Sequence, residues 1–209
     1  ILVSSMTLDS SRISLVFVNL IPLIGIFVGW SLFHILFFYW FESFAIGFFN
    51  IIKMYMARGL SQSKTENSRA ITIITKIIFP PFFMVHYGGF MFVHLIFVFF
   101  IGNFSSGVIN FDNFMIDARL MVFPALFLFL SHGYSFFRNF IGKNEYEKIS
   151  IVELMVSPYK RVIVMHFTLI LGGFIIAFTK APIYILILFI SLKIMADLKS
   201  HTKEHLHRL

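Results

Sequence analysis

The feature that most narrows what this chain can fold into is the recurrence of apolar runs about 20 residues long, the length a helix needs to cross a hydrocarbon core roughly 30 Å thick. They fall at about residues 14–29, 32–54, 77–101, 120–140, 162–178 and 181–196 of the 209. Lipid offers no water to the backbone, so such runs satisfy their amides internally, as helices. Charged residues are 13% of the chain, against roughly 25% in a soluble domain, which leaves too little polar surface to face water. The expected fold class is therefore all-α: a polytopic membrane helix bundle of about six transmembrane helices, forming one integral membrane domain over residues 1–209.

The basic residues set its orientation. With both termini in the cytoplasm, fourteen of the seventeen Lys and Arg residues fall on that side: Arg12, five between Lys53 and Lys76, five between Arg138 and Arg161, and Lys199, Lys203 and Arg208. Only Arg119 and Lys180 fall outside, and Lys193 lies within a span. Cytoplasmic loops carry the excess of Lys and Arg, so this orientation is the expected one. The net charge of +7 is then a matter of topology and anionic lipid headgroups. Nucleic acid is not an expected partner, because the basic residues alternate with spans instead of lining one face.

Local signals punctuate the pattern. Gly29-Trp30-Ser31 reads as a tight turn between the first two spans, and Pro80-Pro81 should start or kink the third. Residues 102–117 read as a loop away from the cytoplasm. Ser150-Ile-Val-Glu153 is a capping-box pattern that predicts a small helix near 151–156, lying at the membrane surface. The first apolar stretch carries Asn19 and Pro22 and no Ala-x-Ala site, so it is expected to stay with the protein. The absence of cysteine excludes disulfides, thiolate metal sites and cysteine nucleophiles.

Polar residues inside the spans are where chemistry would sit, because a strongly polar side chain at membrane depth costs several kcal/mol unless it faces the bundle interior and finds a partner. Counting inward places Glu42 and His86 near the midplane, His132 near it or slightly cytoplasmic, and Asn50, Ser135, His166 and Lys193 in the cytoplasmic half, with Asp197 at the mouth. These eight are the candidate ligand-binding or buried polar cluster. His86, His132 and His166 are the candidate metal ligands, with His201 and His205 a second set whose spacing of four puts two imidazoles on one helix face. Imidazole and carboxylate donors suit zinc, iron or copper, and paired histidines suit haem. The bland reading is that each histidine joins helices by hydrogen bonds. His-Glu-x-x-His, the zinc-protease pattern, is absent. Gly133-Tyr-Ser135 is similar to the Gly-x-Ser of rhomboid proteases, but the last span offers Lys193 where that reading needs a histidine.

Several stretches together carry a resemblance: Tyr39-Trp40-Phe41-Glu42, Gly47-Phe48-Phe49-Asn50, Val85-His86-Tyr87-Gly88-Gly89-Phe90 with His94, and Ser131-His132-Gly133. They continue with Glu153-Leu154-Met155, Pro158-Tyr159-x-Arg161, His166 with Gly172-Gly173, and Asp197-Leu198-x-x-His201-x-x-Glu204-His205. Over nearly its whole length the chain resembles an uncharacterised family of bacterial and archaeal multi-span membrane proteins. The resemblance implies a prokaryotic cytoplasmic membrane and supplies no catalytic residues.

The leading functional expectation is a histidine-containing polar site in the cytoplasmic half of the bundle that binds a metal ion or a small or lipidic ligand. An enzymatic role stays open. The competing classes are an accessory or structural subunit of a larger membrane complex and a small-solute transporter. Expected partners are the lipid bilayer and other membrane proteins or further copies of the chain.

Overall fold

A computed structural model describes residues 24–25, 27–58, 66–106, 111–160, 162–163, 166–167 and 170–171, which are predominantly helical, with no strand among them. Helix α1 is Leu32–Met56, α2 is Glu66–Ser106 and α3 is Phe111–Ser135. A six-residue π-helix, Phe136–Ile141, prolongs α3, and a single 3-10 turn, Glu145–Glu147, leads towards the short helix α4, Ile151–Val156. Among the described residues three helices are long and apolar enough to cross a membrane, over Phe33–Met56, Ala70–Ile101 and Arg119–Ile141. The expected spans at 14–29 and 162–178 lie mostly outside the described residues, and that at 181–196 lies wholly outside them.

The start of α1 follows from its local sequence. Gly29 takes φ +85°, a left-handed conformation that only glycine adopts without strain, so the chain turns there. Ser31 then caps the helix with His34 in the place usually held by Glu or Gln. The Ser31 backbone N–H donates to His34 Nδ1 at 3.0 Å, and Ser31 Oγ lies 2.6 Å from the same nitrogen. Trp30 stacks on the imidazole, with ring centroids 6.2 Å apart.

Two boundaries differ from the sequence reading. Helix α2 begins at Glu66 and passes through Pro80 and Pro81, where the third apolar run was expected from about 77 and the prolines to start or kink it. Each proline removes one N–H, freeing the carbonyls of Lys76 and Ile77, a loss that membrane helices tolerate because neighbouring groups satisfy the freed backbone. Likewise α3 begins at Phe111 and takes in Asp112 and Asp117. Polarity marks where a helix leaves the hydrocarbon, not where its hydrogen-bond ladder stops.

Helix α1 is the axis of the bundle. It packs against α2, α3 and α4, and 56% of its apolar window is buried, against 28% for α2 and 17% for α3. Ile35, Phe38, Ala45 and Met54 on α1 are essentially inaccessible. Towards α3 the contact is aromatic, with Phe49 and Phe129 ring centroids 5.0 Å apart and Phe49 and Phe136 5.7 Å apart. Towards α2, Gly47 lies against Tyr87 so closely that a Cβ there would overlap the phenol ring. Large apolar side chains such as Ile77, Val85, Phe92 and Phe100 point away from the bundle on α2, an arrangement favourable in lipid and unfavourable in water.

Hydrogen bonds fix the register. Trp40 Nε1 donates to the Met91 carbonyl at 2.7 Å and Tyr87 Oη to the Ser43 carbonyl at 2.7 Å, so α1 and α2 are antiparallel with 43 beside 87 and 40 beside 91. Asn50 Nδ2 donates to the Leu154 carbonyl at 2.7 Å, which places α4 beside the Met56 half of α1. The small helix expected near 151–156 is present, and one face of it is buried through Ile151 and Leu154, where α4 contacts α1 and α2. The N-cap itself is present, Ser150 Oγ accepting from the Glu153 N–H at 3.1 Å.

Candidate functional site

Beyond α4 the chain runs alongside α2 in the same direction, and two polar contacts join them. His86 Nδ1 lies 2.6 Å from Tyr159 Oη, and His94 Nε2 lies 2.8 Å from His166 Nδ1. The α2 members are eight residues apart and their partners seven, steps of about 12 and 10.5 Å at 1.5 Å per residue. A near-equal advance on both sides is what two parallel helices require.

The two contacts differ in setting. His94 is 1% exposed, and its Nδ1 is a buried nitrogen with no hydrogen-bond partner among the described residues. Its ring meets that of His166 edge-on, centroids 5.1 Å apart at 62°. His86 is exposed, although it stands halfway along the Ala70–Ile101 apolar stretch. Phe82 stacks on its imidazole, centroids 5.3 Å apart and planes 13° apart, and Phe90 meets it edge-on at 5.1 Å. Tyr159 is held from its other side by the edges of Phe83 and Tyr87, at 6.0 and 5.9 Å. A Cβ at Gly88 or at Gly89 would meet nothing within 4 Å, so the α2 surface beside His86 is open.

The remaining candidates are dispersed. Glu42 is buried in α1 at 5% exposure, and Asn50 at 6% serves the α4 carbonyl described above. His132 is half-buried on α3, and next to it Gly133 would bring a Cβ to 3.3 Å from Phe49. Ser135 is exposed and accepts from Asn139 Nδ2 at 3.1 Å. His86, His132 and His166 do not converge, since the described partner of His86 is Tyr159 and that of His166 is His94, while α3 docks on α1 through phenylalanines. Among the described residues no group of three or more His, Cys, Asp or Glu is placed to hold a metal ion. Lys193, Asp197, His201 and His205 lie outside the described residues.

His166, read from a span starting at 162 as part of the cytoplasmic half, stands beside His94, towards the Ile101 end of α2 and opposite to the α4 end. Residues that composition alone undervalued are Tyr159, His94 and His34. The first two carried a signal, since both fall within the stretches that bear the family resemblance; His34 carried none.

Lys53, which shares a face of α1 with Glu42, stands over the Phe140 ring with Nζ 5.3 Å from the centroid. Eleven residues along one helix separate the two by about 16 Å, so sharing a face does not make them a pair.

A family model described as a family of unknown function (DUF6498) matches residues 2–209. No curated protein and no solved structure matches the chain.

Proposed function

We propose, for a chain that belongs to DUF6498, a family of unknown function, that it is a polytopic protein of the prokaryotic cytoplasmic membrane which binds a small or lipidic ligand at the His86–Tyr159 contact. The observation that carries this reading is an exposed imidazole halfway along a 32-residue apolar helix stretch. A polar ring facing hydrocarbon at that depth is costly, and intramembrane ionisable residues of this kind mark ligand or ion sites. A lipid-soluble ligand with one polar group would reach it sideways from the bilayer and satisfy it.

The topology in this reading has about six spans with both termini cytoplasmic, supported by the distribution of Lys and Arg. It also has the crossing after α3 begin near Ile151, since Asn50, His86 and His94 meet Leu154, Tyr159 and His166 in order, which takes positions 160 and 161 out of the cytoplasmic count and leaves twelve of the seventeen Lys and Arg there. The lack of native cysteine makes single-cysteine labelling clean. A cysteine at Lys143 is expected to react with a membrane-impermeant maleimide only when the cytoplasmic face is open, and one at Met155 to be protected on both faces. Ready labelling at 155 would return α4 to the membrane surface.

The binding reading is tested by native mass spectrometry of detergent-extracted protein beside His86→Phe, which keeps a planar ring and removes both nitrogens. The expected result is a retained lipidic adduct that the variant loses while its thermal unfolding stays within a few degrees of the parent. A competing reading, that the polar groups only join helices, is favoured by Trp40, Tyr87 and Asn50, each of which donates to a neighbour's backbone carbonyl. It predicts that His86→Phe unfolds or disassembles the protein and alters no bound ligand.

A further inference from the structure

The hydrogen-bond inventory of the His86–Tyr159 contact says what kind of ligand it takes, given the binding reading above. An imidazole with one proton has one donor nitrogen and one acceptor nitrogen, and a phenol has one O–H. Among the described residues the two side chains have only each other as hydrogen-bond partners. If Nδ1–H donated to the phenol oxygen, the phenol hydrogen and the Nε2 lone pair would both be unmet. If the phenol donates to Nδ1, a single group is unmet: the Nε2–H of His86. The second arrangement leaves fewer polar groups unsatisfied in an apolar setting, and it presents one donor to the bilayer.

The surroundings narrow the acceptor. On the same helix the nearest basic residue towards the α2 start is Lys76, ten residues away and about 15 Å along the axis. On the other side Lys160 follows Tyr159 in the chain and is exposed, so a carboxylate would need that charge drawn in to offset its desolvation, whereas a neutral carbonyl needs one hydrogen bond alone. Phe82 and Phe90 flank the imidazole, and Gly89, one turn further on, leaves the helix surface bare where a Cβ would meet nothing within 4 Å. Flat apolar surface beside two aromatic rings favours a planar partner.

We propose that this site takes a lipid-soluble molecule bearing a carbonyl on a flat ring, the carbonyl oxygen accepting from His86 Nε2–H and the ring lying over Gly89, with Tyr159 a positioning residue that fixes the imidazole tautomer. The test uses the full chain in lipid nanodiscs with three probes: a decyl-substituted para-benzoquinone, palmitate, and decylbenzene. Histidine-selective nitrogen-15 spectra follow His86, and titration gives affinity. The quinone is expected to bind and shift the Nε2–H resonance. His86→Phe and Gly89→Leu are each expected to weaken it by about tenfold or more, the scale of one lost hydrogen bond or of an occluded contact. Gly89→Leu should leave the fold intact, because the position is open and leucine favours a helix. Tyr159→Phe should redistribute the His86 tautomers and weaken quinone binding without lowering thermal stability in proportion.

Equal quinone affinity in the parent and Gly89→Leu overturns the proposal, as does decylbenzene binding as well as the quinone. If palmitate binds in a His86-dependent way and the quinone does not, the lipidic-ligand reading stands and the carbonyl class falls. If no probe binds, both fall.

Discussion

Replacing Tyr87 by alanine is expected to destabilise the bundle by about 3–5 kcal/mol, the range for deleting a buried aromatic side chain. Tyr87 is 4% exposed. Its ring stacks on Phe83 with centroids 4.7 Å apart and planes 16° apart, meets Tyr159 edge-on, and fills the space left by the missing side chain of Gly47. The hydroxyl contributes less. It donates to the Ser43 carbonyl, which belongs to the α1 ladder, so Tyr87→Phe should cost only about 0.5–1.5 kcal/mol. Equilibrium unfolding of the two variants in mixed micelles separates packing from hydrogen bonding. Similar losses for both would mean that the hydroxyl, not the ring, ties α2 to α1. Gly47→Ala reports on the same contact from the other side, since the added methyl and the Tyr87 ring compete for one volume.

Asn50→Asp is the second large effect. The amide donates at 2.7 Å to Leu154, whose carbonyl lies in the last turn of a six-residue helix, where carbonyls lack intrahelical partners. An ionised carboxylate of nearly the same size cannot donate, and it sets negative charge against that oxygen in a buried position. A loss of about 3–5 kcal/mol is expected, as for other uncompensated buried charges. Asn50→Leu, which only leaves the carbonyl unmet, should lose about 1–3 kcal/mol. Hydrogen exchange is the sharper readout, because the damage should begin at residues 151–160, with α1 and α2 protected longer. Undocking α4 also withdraws Tyr159 from His86, so quinone affinity should fall with it. Uniform loss of protection across all helices would show that α4 has no separate stability to lose.

Much of this protein is legible without coordinates. Hydrophobic length and a low charged fraction fix helices long and apolar enough to cross lipid, because a bilayer leaves the backbone no other way to satisfy its amides. The turn at Gly29 and the cap at Ser150 are equally local, each set by a few adjacent residues. Helix ends were harder: the Glu66 start of α2 and the Phe111 start of α3 lie in polar sequence, and polarity reports the solvent around a helix, not its ladder.

The tertiary structure decided which polar residues meet. Counting depth along separate helices assumed that the path through the bundle after α4 starts where apolar sequence becomes continuous, near 162. The contacts of Leu154, Tyr159 and His166 bring the chain alongside α1 and α2 from 154 onward, and an offset of that size moves every partner. His86 therefore meets Tyr159 and not His132, and His166 meets His94. Sequence determined the kind of solvent and the number of candidate polar groups, because transfer free energy is a property of each segment alone. Pairing depends on the axial register and rotation of neighbouring helices, which are set by close contacts such as Gly47 with Tyr87 that no periodicity within one helix encodes.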